Sequence, residues 1–322
     1  MRGILIEKHG GPEVMTLRDL PEPQPGAGQV RIRVEAAGQN YADTLLRLGQ
    51  YPGTELPTVP GMEVAGTVDA VGPGVEWPRV GDRVAALLFR GGGYAEAAVA
   101  PAAHCVALPA GWSFEHGAAF LLQHLTAWHG LTTLGRAAAG EVCVVHAAAG
   151  GVGGAAVELA RHLGLRVVAT ASTAEKRALV IALGADVAAD YDGFPDEVRR
   201  LGGADLVLES VGGHVVKRSV ECLKPFGRLV VIGFAGRRPA SISTTDLIAG
   251  TRLAAGFHLS AVAARADLLR PAVERLTRLV DAGTLSIRVG ARFPLAEAAR
   301  AHELMESRAS WGKILLLPRT NT

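Results

Sequence analysis

The chain has 322 residues, with 33 Lys+Arg against 31 Asp+Glu and a net charge of +2. That balance leaves no electrostatic footprint for DNA, and a pI near 8.5 is too mild to argue for a partner. With 49% hydrophobic and 20% charged residues the chain is neither disordered nor supercharged, and its length predicts about two domains. A mean hydropathy of +0.24 raises the question of a membrane. No run of about 18 uncharged apolar residues answers it, and Met1 to Lys8 lack the apolar stretch of a signal peptide. The expectation is a soluble, cytoplasmic protein. Cys105, Cys143 and Cys222 are too far apart for a disulfide framework or a CxxC metal site and read as three buried thiols.

In the first third, short alternating apolar runs at residues 3–7, 30–36, 64–71, 83–88 and 95–99 are separated by Gly/Pro turns at 21–28, 51–61 and 72–74. Frequent short strands read as an all-β, partly barrel-like unit. Residues 40–48 are the exception and predict one short helix. Near Ser113 the texture changes, and strands at 142–146, 166–170, 206–209 and 228–232 alternate with helices at 151–163, 173–183 and 214–223. Such alternation predicts right-handed βαβ units and a parallel sheet. A last strand near 253–257 is the fifth named, of an expected six. Beyond residue 258 the spacing predicts helices at 268–282 and 296–306 and a closing strand at 313–317. This tail is too short for a domain and is expected to return to the first one. The expected layout is 1–115, 116–257 and 258–322, with the α/β unit inserted into the β-rich one.

Ala147 to Gly153 follow a buried strand and open a helix, the context in which a dinucleotide fingerprint is informative. The motif reads Ala148-x-Gly150-x-x-Gly153, with Ala in the first glycine position. Gly150 would let the backbone approach a pyrophosphate, and Gly153 would let the helix lie close to the strand. A plain Gly turn joining strand to helix would look the same. About twenty residues on, an NAD site would place Asp or Glu against the ribose 2′-hydroxyl. This chain has Ser172 there, followed by Lys176 and Arg177. A small hydroxyl and cations suit a 2′-phosphate, so NADPH is the expected cofactor. The same cations would also fit a solvated helix face.

The segments Gly61-Met62-Glu63-Val64-Ala65-Gly66, Val71-Gly72 and Gly81-Asp82-Arg83-Val84 resemble the catalytic domain of medium-chain dehydrogenases/reductases. Zinc alcohol dehydrogenases of that superfamily have His at the place of Met62, a Cys within the equivalent of 38–43, and a four-cysteine lobe that this chain lacks. Methionine is not a usual zinc ligand, so no metal is expected. Asn40 to Thr44, Tyr51-Pro52-Gly53, the 148–153 loop, Lys176, Tyr191, Glu209 to Gly212 and Arg300-Ala301-His302 resemble the zinc-free quinone oxidoreductase (zeta-crystallin-like) family over nearly the whole chain. Leu45 stands where that family often has a second Tyr, and Glu158 where it usually has Gln.

The resemblance implies an α/β fold in which a Rossmann doubly wound parallel sheet is inserted into a β-rich GroES-like catalytic domain. It implies a cofactor site of Asn40, Thr126, Ala149, Gly150, Gly151, Val152, Gly153, Ser172, Lys176, Tyr191, Gly233, Phe234 and Gly312. Of these, Lys176 and Tyr191 would serve the adenosine phosphate, and Thr126, Gly233 and Phe234 the nicotinamide. Tyr41, Tyr51 and Phe257 would line the substrate side, with Asn40 and Tyr51 as catalytic candidates. Simpler roles stand beside these: Asn40 and Asp43 also fit helix capping, Tyr51 packing in a turn, and Phe257 a core strand. His124, His129 and His146 lie in apolar segments without metal spacing and read as core or supporting groups.

A metal-free scaffold with an NADP-type site suits an acceptor that takes hydride readily, such as a quinone whose product is an aromatic hydroquinone anion. Reduction of an activated C=C bond, in an enone, enal or enoyl thioester, is the alternative. An NADPH-gated RNA-binding module is a remote one, which the weak charge does not favour. A homodimer is expected, through an exposed sheet edge near 253–257.

Overall fold

The structure is a computed structural model and describes residues 1–319. Residues 320–322, the end of the expected return segment, lie outside the described ones. The chain forms two compact units. One comprises Met1–Leu122, Ser260–Val273 and Ile287–Thr322, the other Gln123–Leu259 and Glu274–Ser286.

The first unit is built on strand Gln29–Gln39, where Val30, Ile32 and Val34 are wholly buried and Arg31, Arg33 and Glu35 alternate with them. This period of two gives the strand one inward face. It pairs antiparallel with Glu63–Val71, Ala97–Pro101 and Lys313–Leu317. Register shifts at Arg31/Ile32 and Val34/Ala36 break the ladder to Glu63–Val71, and such bulges bend a strand. Arg83–Leu87 and Cys105–Ala107 extend the sheet beyond Glu63–Val71, and Val289–Pro294 joins Lys313–Leu317 in parallel. The closing strand thus pairs with a strand of the first third of the chain. Val289–Pro294 escaped the sequence reading because Gly290 and Pro294 look like turn residues. A short helix, Tyr41–Arg47, follows the long strand.

The second unit is a six-stranded parallel sheet. Its spatial order is Val187–Ala189, Arg166–Thr170, Val142–Val145, Ala204–Glu209, Leu223–Val231, Leu253–Gly256. Numbered along the chain this is 3-2-1-4-5-6, the doubly wound order of the Rossmann fold. All four residues of Val142–Val145 are buried, as a strand covered on both faces requires. The third strand, Val187–Ala189, and the helix Phe194–Arg200 are not among the runs named from sequence. Three residues are too few to show a period, and Pro195 obscures a helix start. The winding reverses between Val142–Val145 and Ala204–Glu209, where ligands of such sheets bind beyond the carboxyl ends. No helix among the described residues is long and apolar enough to cross a membrane.

Candidate active site

The candidate residues fall into two groups, one in each unit. In the second unit, strand Val142–Val145 ends in His146, and Ala147 turns the chain with φ of +49°. Helix Gly151–His162 then begins with Gly150 at its N-cap. No side chain caps it, and its first turn carries no acid. Its first free N–H groups and its dipole therefore favour an anion.

The glycines here are required for different reasons. A Cβ on Gly153 would lie 2.4 Å from the Ala147 carbonyl oxygen and 2.6 Å from the Ala148 Cα, so glycine lets the helix press on the turn. A Cβ on Gly151 would meet Gln123 Oε1 at 1.7 Å. A Cβ on Gly150 would meet only the Ala147 oxygen, at 3.3 Å. Gly150 is therefore far less crowded by the protein than Gly151 or Gly153, with one close carbonyl as its neighbour. Ala149 is buried, and Val152 is half-buried on the first turn.

Strand Arg166–Thr170 leads to exposed Ser172 and to Thr173, whose hydroxyl caps helix Ala174–Ala182 by accepting from the Lys176 N–H at 3.2 Å. Lys176 is half-buried, and desolvation lowers its ammonium pKa. Tyr191 is half-buried, its ring centroid 6.3 Å from that of His146. Thr126 is buried on helix Leu121–His129. Gly233 and Phe234 follow the fifth strand in sequence, and a Cβ on Gly233 would meet nothing nearer than the Ser210 oxygen, at 3.9 Å. Phe257 follows the sixth strand and stacks on His129 at 6.4 Å and 18°.

Beneath the point where the winding reverses lies a buried polar network. His146 Nδ1 meets Thr170 Oγ1 at 2.9 Å, and its Nε2 meets Ser219 Oγ at 2.8 Å. The Ser219 hydroxyl also donates to the Val215 carbonyl at 2.8 Å. Glu209 Oε1 accepts from the N–H groups of Val211 and Gly212. His146 and Thr170 thus tie the ends of strands one and two, and Ser210, just past strand four, joins them by donating its hydroxyl to the His146 carbonyl at 3.3 Å. Desolvation drives the His146 imidazole down to about 3, so it is neutral here, and raises the Glu209 carboxyl.

In the first unit Asn40 occupies the N-cap of helix Tyr41–Arg47, and its N–H donates to Asp43 Oδ2 at 2.8 Å, one arm of a capping box. Asp43 also accepts from the Gly61 N–H at 3.0 Å and the Tyr94 hydroxyl at 3.1 Å. Full burial raises its carboxyl to about 6 against these bonds. Capping is thus a real role of Asp43. Asn40 does more. Its Oδ1 accepts from Lys313 Nζ at 2.6 Å, and its Nδ2 donates to the Gly38 carbonyl at 3.1 Å. Lys313 Nζ donates also to Glu63 Oε2 at 2.6 Å, with side chains 2% and 0% exposed. Glu63 Oε1 takes the Leu122 N–H at 2.9 Å. Tyr51 is half-buried against the apolar core, and desolvation, then Asp43, raises its phenol. Tyr41 is half-buried at the helix start. Gly312 has φ of +59°, and a Cβ there would meet the Arg288 oxygen at 2.8 Å, so its own turn explains the glycine.

Sequence reasoning passed over Lys313, Tyr94 and Gln123 as site residues, and quoted Glu63 only as part of a motif. A signal existed for two of them: Lys313 is a charge heading an otherwise apolar strand, and Glu63 is one heading the apolar run 64–66. Met62 is 1% exposed in the core, and among the described residues no three His, Cys, Asp or Glu side chains gather as a metal set would.

The family described as alcohol dehydrogenase GroES-like domain matches residues 26–110, and that described as zinc-binding dehydrogenase matches residues 151–278. A quinone oxidoreductase of Pseudomonas aeruginosa is 37% identical over 98% of this chain and 99% of its own. The Escherichia coli quinone oxidoreductase, solved in complex with NADPH, superposes with a TM-score of 0.95 at 32% identity, over 99% of this chain and 100% of its own. That of Thermus thermophilus, also solved with NADPH, gives 0.86 at 41% identity, over 98% and 100%. With this sheet order, this glycine turn and relatives similar from end to end, the chain belongs to the quinone oxidoreductase family of the medium-chain dehydrogenases/reductases.

Proposed function

We propose that the protein transfers a hydride from NADPH to a quinone. The carrying observation is Gly150, a helix N-cap that meets a single carbonyl where Gly151 and Gly153 are severely crowded, followed by a first turn without acid. The residues fit the coenzyme. Main-chain N–H groups at Gly150–Gly153 would hold its diphosphate. Ser172, Lys176 and Tyr191 would hold the ribose phosphate, with no carboxylate at the place where one would select the untagged coenzyme. Thr126, Gly233 and Phe234 are proposed for the nicotinamide end, together with Asn40 and Gly312. When bound, NADPH supplies the hydride. Asn40 and Tyr51 would then offer hydrogen bonds to charge developing on the acceptor oxygen. Tyr41, Tyr51 and Phe257 would orient the acceptor ring and exclude water.

The test is the oxidation of NADPH by benzoquinone or naphthoquinone, followed beside a 2-alkenal. Quinone-dependent turnover is expected, and an absence of it above background overturns the reading. Two glycine variants separate binding from folding. Gly150→Ala is expected to keep the melting midpoint and weaken NADPH about tenfold or more, ~1.4 kcal/mol. Gly153→Ala, whose added methyl meets backbone, is expected to cost about 2–3 kcal/mol of stability. Calorimetry and coenzyme titration read both, and equal behaviour of the two variants counts against these roles.

A homodimer is also proposed. Strand Leu253–Gly256 is the sheet edge, and Phe226, Ile248 and Leu253 are 70%, 79% and 42% exposed. An open edge among such side chains invites a second copy. Sedimentation at twice the 33.5 kDa chain mass is expected, and a monomer would refute it. The cytoplasm is the proposed setting, since three free buried thiols fit a reducing compartment. Cell fractionation checks this.

A further inference from the structure

The turn that carries Tyr191 is fastened from a neighbouring helix. Arg218, in helix His214–Cys222, donates Nη1 to the Tyr191 carbonyl at 2.9 Å and to Asp192 Oδ1 at 3.0 Å. Its Nη2 donates to the Asp192 carbonyl at 2.6 Å. The guanidinium carbon lies 5.7 Å from the Phe194 ring centroid. From the other side, Asp190 Oδ1 accepts the N–H groups of Asp192 at 3.0 Å and Gly193 at 2.6 Å. Residues 190–193 are thus held at main-chain and side-chain atoms together. A planar fork reaches two carbonyls and a carboxylate at once, which a lysine ammonium cannot match.

The charges are as informative as the bonds. The Asp192 side chain is 94% exposed, and Asp192 follows directly on Tyr191. A carboxylate free at that position would repel a phosphate dianion over a distance of about 10 Å, the screening length at 0.1 M salt. Arg218 is its salt-bridge partner. A pair so exposed adds little to stability, so stability does not account for the arrangement.

We propose that Arg218 is a positioning residue for the 2′-phosphate of the coenzyme: it fixes the Tyr191 turn and cancels the Asp192 charge beside it. The proposal rests on the NADPH reading above. It concerns binding, so the experiment needs no turnover. Dissociation constants for NADPH and NADH are measured by fluorescence without an acceptor, for the wild type and for R218Q, R218K, D192N and R218Q/D192N, with melting midpoints alongside.

R218Q is expected to weaken NADPH about tenfold and NADH less than about twofold. R218K should fall between, keeping the charge and losing the fork. The double variant should regain part of the NADPH affinity, and D192N alone should bind NADPH at least as tightly as the wild type. A wild type that binds NADPH no better than NADH overturns the NADPH reading itself. A wild type that prefers NADPH, with R218Q keeping that preference, overturns this proposal alone. Equal weakening of both coenzymes with a lowered midpoint would make Arg218 merely structural and also overturn it. Should R218Q not fold, R218K carries the same comparison.

Discussion

Replacement of Lys313 by Met is expected to destabilise the protein by about 3–5 kcal/mol, the range for removing one partner of a buried ion pair. The Lys313 ammonium and the Glu63 carboxylate are almost wholly out of water and 2.6 Å apart. Without the lysine, Glu63 keeps only the Leu122 N–H among the bonds described for it. Its charge would then be buried with one neutral donor. Glu63→Gln alone is expected to cost a similar amount, because it strands the ammonium. The pair Glu63→Gln/Lys313→Met should recover most of the loss, since neither charge remains to be desolvated. Urea denaturation of the three variants reads the cycle. Additive losses in the double variant would mean that the two side chains are not paired.

Acid is the second strong lever. His146 and His302 are both driven down to about 3, chiefly by burial and for His302 also by the Arg47 guanidinium. An unfolded chain binds protons at these histidines from about pH 6.5 downward, and the folded one does not. Their contribution is therefore complete above pH 6.5 and is lost as pH falls toward 3, at about 1.4 kcal/mol per pH unit for each. Asp43 acts in the opposite sense. Its carboxyl, raised to about 6, takes a proton in the folded state before the unfolded one does. It offsets one histidine between about pH 6 and 4, and the raised Glu209 works in the same direction. The expected profile is a stability plateau above pH 6.5, a shallow fall to about pH 4 and a steep one below. Replacing His302 by Gln should flatten the steep limb by about one proton. Denaturant midpoints across pH 7 to 3 check it, and a flat profile would show that these imidazoles are not buried neutral.

The sheet of the second unit was legible because fully buried parallel strands are plain apolar runs. Arg166–Thr170 and Lys313–Leu317 agree with the sequence reading to the residue. Val187–Ala189 was not legible, since its place is set by the strand beside it rather than by any pattern of its own. The glycine turn could be seen, but not that Gly151 answers to Gln123 while Gly150 has only the Ala147 carbonyl near it. Those reasons depend on groups distant in sequence. Asn40 was visible as a residue of interest, yet its partner lies 273 positions away. No local rule links a cation at the head of the last strand to an amide at the start of the first helix.

That partnership also decides a question of orientation. A carboxamide has two ends of nearly equal size, and little in its shape says which is which. An ammonium has hydrogens and no lone pair, so the atom of Asn40 gripped by Lys313 is the oxygen. The nitrogen is thereby turned to Gly38, with one hydrogen more than that carbonyl takes. Asn40 thus keeps a proton to give to an electron-rich oxygen, while one of the two lone pairs on its own oxygen is already held by Lys313.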